Sequence, residues 1–160
     1  YGYRFVVERA GLFDTQRALD NDIPMKYWNR LQKGETIDLS DRVLTPDMVL
    51  GPQRQGLKVT YATDTRPTKS LHIFAKEADL LILEGMYGDP THVTKAKDRK
   101  HMMMQEAAKI ALSAQAKELW LTHYSPSLMN PISFMKSVRK IFTNANAAMD
   151  GDSKSLLFED

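Results

Sequence analysis

Ala78-Asp79-Leu80-Leu81-Ile82-Leu83-Glu84 is an apolar run closed at its end by a carboxylate. A strand that is apolar at every position is buried on both faces, which predicts a sheet covered by helices on each side. Outward from this run, Leu57 to Ala62 reads as a second buried strand and Leu119-Trp120-Leu121-Thr122 as a third. Between them, Ser70 is placed to cap a helix running to about Ala78. A longer helix is expected from about Met102 to Ala116, with Ala107, Ala108, Ile110, Ala111 and Ala114 at helical spacing on one face. Strand alternating with helix predicts an α/β fold, with crossover helices joining parallel strands.

The flanks add smaller elements. Tyr1-Gly2-Tyr3-Arg4-Phe5-Val6-Val7 is aromatic and β-branched, as a strand requires. Asp14 can cap a short helix carrying Ala18 and Leu19. Pro24 can open a second, with Tyr27, Trp28 and Leu31 on one side and Gly34 as its stop. Residues 35 to 56, punctuated by Pro46, Gly51, Pro52 and Gly56, read as hairpin and loop. Pro131 opens a helix bearing Phe134, Val138, Ile141 and Phe142. The tail, Ala145 to Phe158 about Asp150-Gly151-Asp152, is expected to close as a hairpin. The expected organisation is one domain over 1–160, with a strand and a small helical and hairpin segment in 1–56 and a β-α-β core in 57–160.

A chain of 160 residues can bury a real core, and 42% hydrophobic with 26% charged residues is ordinary for a soluble globular protein. No run of 18 apolar residues occurs, so no membrane span is expected. Zero cysteines exclude disulfides and thiolate zinc sites, leaving His, Asp and Glu as metal donors. Their absence fits a cytoplasmic location. The net charge of +2 does not announce a nucleic-acid binder, but residues 54–100 hold nine Lys/Arg against six Asp/Glu. The densest basic run, Lys95, Lys97, Arg99 and Lys100, reads either as a solvated helix face or as a phosphate-contact surface.

Asp64 follows the first buried strand, Glu84 ends the second, His123 follows the third, and His101 stands where the basic run meets the long helix. In open α/β folds ligands bind at the carboxyl ends of the strands. Each residue alone has a plain explanation: a turn former for Asp64, a hydrogen-bonded structural histidine for His123, a helix-start residue for His101, a paired carboxylate for Glu84. Together they permit a binuclear hydrolase, in which a carboxylate bridges two metal ions about 4 Å apart and a neighbouring His protonates the leaving oxygen. Two ligands do not complete such a centre. His72 and His92 receive no role.

The chain resembles the C-terminal half of ribonuclease Z (tRNase Z), of the metallo-β-lactamase superfamily. The resemblance rests on Gly2-Tyr3-Arg4, Gly11-Leu12-Phe13-Asp14, Leu31-Gln32-Lys33-Gly34-Glu35-Thr36 and Val49-Leu50-Gly51-Pro52. Its most specific pieces are Asp64-Thr65-Arg66-Pro67, Ala78 to Glu84, His101 with Glu106-Ala107-Ala108, and Leu121-Thr122-His123-Tyr124-Ser125-Pro126. It implies half of an αβ/βα sandwich, a mixed sheet with covering helices. It also implies an endoribonuclease that removes 3′ trailers from precursor tRNA with two zinc ions. By this resemblance Asp64 bridges the metals, His123 ligates one of them, and His101 gives a proton near the leaving 3′ oxygen, with Glu84 orienting it. Arg66 and Ser125 become candidate RNA contacts, together with Lys95, Lys97, Arg99 and Lys100.

The chain departs from the family in having His101-Met102-Met103 where many members have His-Ser-Thr, and Ser127 where many have Arg. The family's His-x-His-x-Asp-His motif is not among these residues, and the four histidines cannot rebuild it. The resemblance therefore implies a piece lacking its N-terminal metal-binding half, with weak metal binding alone. An exposed sheet face would lead it to associate with that half or to form a homodimer. Two other readings stand beside this one: a general phosphodiesterase of the same superfamily, and a non-catalytic fragment that only folds, associates or binds RNA.

Overall fold

The computed structural model describes residues 1–159. In chain order its elements are β1 (Gly2–Arg9), α1 (Thr15–Asp20), α2 (Met25–Gln32), β2 (Ile37–Asp38), β3 (Val43–Leu44), β4 (Arg54–Ala62) and α3 (Lys69–Phe74). There follow β5 (Leu80–Glu84), α4 (Val93–Asp98), α5 (Met104–Ser113), β6 (Leu119–Thr122), α6 (Met135–Arg139) and β7 (Ala145–Ala147). Among the described residues two compact units emerge, one of residues 1–7 with 57–158, the other of residues 8–56 with 159.

The first unit carries the main sheet, in the order β1-β4-β5-β6-β7. The pairs β4–β5, β5–β6 and β6–β7 are all parallel. In register, Ala62, Leu83, Leu121 and Ala147 form one row, and Tyr61, Ile82, Trp120 and Asn146 the next. Successive rows point to opposite faces because the side-chain period of a strand is two. Leu81, Leu83, Leu119, Leu121 and Ala145 share one core cluster with Leu71 and Ala75, with Met104, Ala107, Ala108, Ile110 and Ala111 of α5, and with Met135 and Val138 of α6. The crossover helices thus cover one face of the sheet. Tyr61, Ile82 and Trp120, on the opposite face, are only half-buried. This corrects the expectation of helices on each side: the alternate positions of β5 are apolar without being covered by a helix of this unit.

Several boundaries also differ from the sequence expectation. Thr68, not Ser70, caps α3, its Oγ1 accepting from the Leu71 N–H at 3.1 Å, and the helix stops at Phe74 rather than Ala78. Helix α5 begins at Met104 because His101 to Met103 are held in a non-helical connection: Met103 makes a strand-like bridge to Tyr87, and the Met104 N–H donates to the Tyr87 carbonyl at 2.9 Å. The tail forms no hairpin. Ala145–Ala147 instead joins the sheet edge beside β6, and residues 153–158 lie outside any strand.

The second unit has its own core of Ala18, Ile23, Leu31, Ile37, Leu44 and Val49. Asp14 caps α1 as expected, accepting from the Arg17 N–H at 3.0 Å. The Trp28 indole N–H donates to the Ile23 carbonyl at 2.8 Å, so a large half-buried ring packs on this core with its polar atom satisfied. Strands β2 and β3 form the small antiparallel hairpin expected of this segment.

Candidate metal and catalytic site

The carboxyl ends of β4, β5 and β6 are adjacent because the three strands pair in parallel. Asp64 lies two residues beyond β4, and His123 follows β6 directly. Both take left-handed backbone angles, each with φ of 53°. Asp and His visit that region more readily than most residues, and such geometry in a loop sharply redirects a side chain. His101 arrives by another route: α4 ends in a turn in which Lys100 has φ of 61°, and the His101 N–H donates to the Ala96 carbonyl at 2.8 Å.

These three side chains converge. Asp64 Oδ2 lies 3.7 Å from His123 Nε2, and its other oxygen, Oδ1, lies 3.9 Å from His101 Nδ1. The two imidazole centroids are 5.8 Å apart. One donor atom from each of Asp64, His101 and His123 falls within 4.8 Å of the others. Metal–donor bonds of ~2.0–2.2 Å allow two donors on one ion to stand at most ~4.4 Å apart, so the Asp64–His123 spacing fits a shared cation. Imidazole with carboxylate suits first-row divalent metals. Three donors fall short of a closed four-coordinate site.

Glu84 completes the group from below. Its side chain has no solvent exposure, and its two oxygens are divided between two loops. Oε1 accepts from the Thr65 N–H at 2.6 Å, and Oε2 lies 2.8 Å from His101 Nδ1. Burial pushes the Glu84 carboxyl above the usual carboxylate range, and the Thr65 and His101 contacts offset only part of that. A carboxylate only accepts, so the ionised group holds the Nδ1–H tautomer of His101 and leaves Nε2 for other partners.

Arg66 is placed beside this cluster with its guanidinium engaged. It donates to both Glu106 oxygens, at 2.7 and 2.6 Å, and to the His101 carbonyl at 2.5 Å. Burial would raise the Glu106 carboxyl, but the Arg66 contacts and the Met103 N–H outweigh it and hold it below its ordinary value. Glu106 therefore ties three pieces together: the loop after β4, the start of α5 and the segment bearing His101. Sequence reasoning gave neither Glu106 nor the Thr65 N–H a role. An acid three residues into a helix is the available signal for Glu106; a backbone donor leaves no signal in composition.

The remaining candidates divide between a buried serine and an exposed basic segment. Ser125 is buried, with its Oγ 2.8 Å from Ser127 Oγ and its N–H donating to the Met86 carbonyl at 3.1 Å. Lys95, Lys97, Arg99 and Lys100 are exposed on α4 and the turn that leads into His101, where only Ala96 is buried. Among the described residues, no helix is long and apolar enough to cross a membrane.

The chain is 50% identical over 159 residues to a ribonuclease Z of Lachnoclostridium phytofermentans, a match covering 99% of this chain and 52% of that protein. It is 49% identical over 160 residues to a ribonuclease Z of Agathobacter rectalis, covering 100% of this chain and 53% of that one. It spans about half the length of the curated relatives it matches. Among solved structures, the human tRNase Z, short form, superposes with a TM-score of 0.50 at 24% identity, over 72% of this chain and 36% of the other, which is a likeness of fold. The family model described as beta-lactamase superfamily domain matches residues 31–124. On that match the chain belongs to the beta-lactamase superfamily.

Proposed function

We propose that Asp64, His101 and His123, backed by Glu84, form one side of a two-metal phosphodiesterase centre that removes 3′ trailers from precursor tRNA. The observation that carries this reading is the division of the Asp64 carboxylate, one oxygen turned to His123 and the other to His101. A bridging ligand needs such a division. The names of the relatives that match across the whole chain support RNA as the substrate.

Asp64 and His123 would hold zinc, and a metal bound there would supply Lewis-acid charge and a water acidified to near neutrality. This chain's own residues do the rest. Glu84 fixes the His101 ring through Nδ1–H, and the imidazolium form of that ring carries a second proton on Nε2, which it can deliver to the leaving 3′ oxygen. The Arg66–Glu106 clamp holds the His101 backbone in place for that transfer. Lys95, Lys97, Arg99 and Lys100 give the phosphate backbone a cationic approach beside it. The metal donors beyond Asp64 and His123 would come from outside these 160 residues, in a longer protein or a partner copy.

The test is cleavage by the longer protein that carries this chain, on precursor tRNA and on a small phosphodiester such as bis(p-nitrophenyl) phosphate. Strong preference for precursor tRNA, lost in Asp64→Ala, is the expected result. Equal turnover of both substrates would favour a general phosphodiesterase instead.

A further inference from the structure

A cavity of about 280 Å³ lies among Tyr87, His92, Ser127, Leu128, Asn130 and Phe134. Both chain segments that wall it lead out of the site described above. Tyr87 stands three residues beyond Glu84, and Ser127 four beyond His123, so each wall lies within about 11–14 Å of a site residue along the chain. The two segments are joined by the Ser125 N–H donating to the Met86 carbonyl at 3.1 Å.

The walls are built rather than incidental. Tyr87 is 5% exposed, with the His92 ring edge-on to it at 5.6 Å and the Lys95 ammonium 5.3 Å from its centroid. Phe134 is seated directly on the backbone of Gly88, where a Cβ would come within 2.4 Å of its ring. Asn130 Oδ1 accepts from the Ile132 N–H at 3.1 Å, which fixes the amide so that its NH₂ remains a free donor.

We propose that this cavity is a base subsite, taking one unpaired nucleobase of the RNA next to the bond that is cleaved; it rests on the nuclease reading above. Three features select a base over other ligands. The cavity falls just under the ~300 Å³ at which small-molecule sites begin, so one planar ring system fits it better than a whole nucleotide. Aromatic and imidazole rings are the surfaces on which unstacked RNA bases settle, and polar groups at the margin read their edges. Lys95 and Lys97 on the flanking helix, with Arg99 and Lys100 in the turn after it, supply the charge that the attached phosphates need.

The experiment is an NMR titration of the 160-residue chain with uridine or adenosine 5′-monophosphate, against ribose 5-phosphate. The nucleotides are expected to move the Tyr87 ring, His92 ring and Asn130 side-chain amide resonances saturably, and ribose 5-phosphate to leave them in place. Asn130→Asp keeps the cap acceptor but removes the NH₂ donor, and His92→Ala removes the edge-on ring; each should weaken binding roughly three- to tenfold, as loss of one such contact does. The subsite is overturned if ribose 5-phosphate moves the same signals, if nucleotides move none, or if both variants bind like the parent. The nuclease reading fails separately, if precursor tRNA is not cleaved by the longer protein whatever the cavity binds.

Discussion

Glu84 Oε2 and His101 Nδ1 stand 2.8 Å apart, and the carboxylate that makes this contact is wholly buried at the end of β5. The contact joins a core strand to the histidine proposed as proton donor, so the core sets which ring nitrogen stays open to a ligand. Glu84→Gln keeps the shape but cannot hold the same tautomer at unchanged strength. Turnover of precursor tRNA should fall about 10- to 100-fold with KM little changed, as losses of orienting partners do. Steady-state kinetics of the variant decides, and a kcat equal to the parent's would remove the orienting role.

Metal binding should follow the donors. With Asp64 and His123 as its proposed donors, calorimetric titration of this chain with zinc is expected to give weak uptake, and Asp64→Ala or His123→Ala to reduce it by roughly a further tenfold or more. Tight binding of two equivalents by the 160-residue chain would contradict the donor count.

The Arg66–Glu106 pair is bidentate, and each side chain is about a quarter exposed, 25% and 24%. Arg66→Lys retains the charge but loses the fork, and with it the simultaneous contact to the His101 carbonyl. A stability loss of about 1–3 kcal/mol in urea unfolding is expected. Loss of cleavage should exceed what the stability change explains, since His101 is displaced. An unaltered denaturation midpoint would show the clamp to be dispensable.

Glu118, at the entry to β6, offers a pH test away from the site. Burial would raise its carboxyl, but the Lys154 ammonium, the Trp120 indole N–H at 2.6 Å and the Asn146 amide at 3.1 Å outweigh it and hold it below its ordinary value of 4.5. The unfolded chain therefore takes up this proton at higher pH than the folded one. The stabilisation is present above about pH 4.5 and is lost as pH falls through the lower folded value. Glu118→Gln should flatten the stability profile in that acid range and leave the slope near neutrality unchanged. Thermal melts between pH 3 and 6, on the order of the carboxylate range, make the comparison. Identical slopes for parent and variant would exclude the contribution.

Much of the architecture was legible from apolar patterning. Leu80 to Leu83, Leu119 to Thr122 and Leu57 to Ala62 are strands as read, and Asp14 caps its helix, because each of these depends on local period and local hydrogen bonding. The positions of Asp64, Glu84 and His123 at strand ends followed from the same reasoning. Less local features escaped it. Ser70 and Thr68 are equally good caps in composition, and only the path of the loop chose Thr68. The tail could pair with itself or with β6, and the edge of an existing sheet won because it offered a ready row of unpaired backbone groups.

What the chain determined by itself is therefore the set of elements and the kinds of donor at their ends, since periodicity of 2 or 3.6 and residue chemistry are properties of neighbours in sequence. Tertiary structure alone decided that Asp64 turns one oxygen to each imidazole, that Glu106 grips Arg66 across 40 positions, and that the helices of the first unit pack on one face of its sheet. Such relations depend on how loops from separate strands meet, and an ångström of difference there changes a hydrogen bond while leaving every local pattern intact.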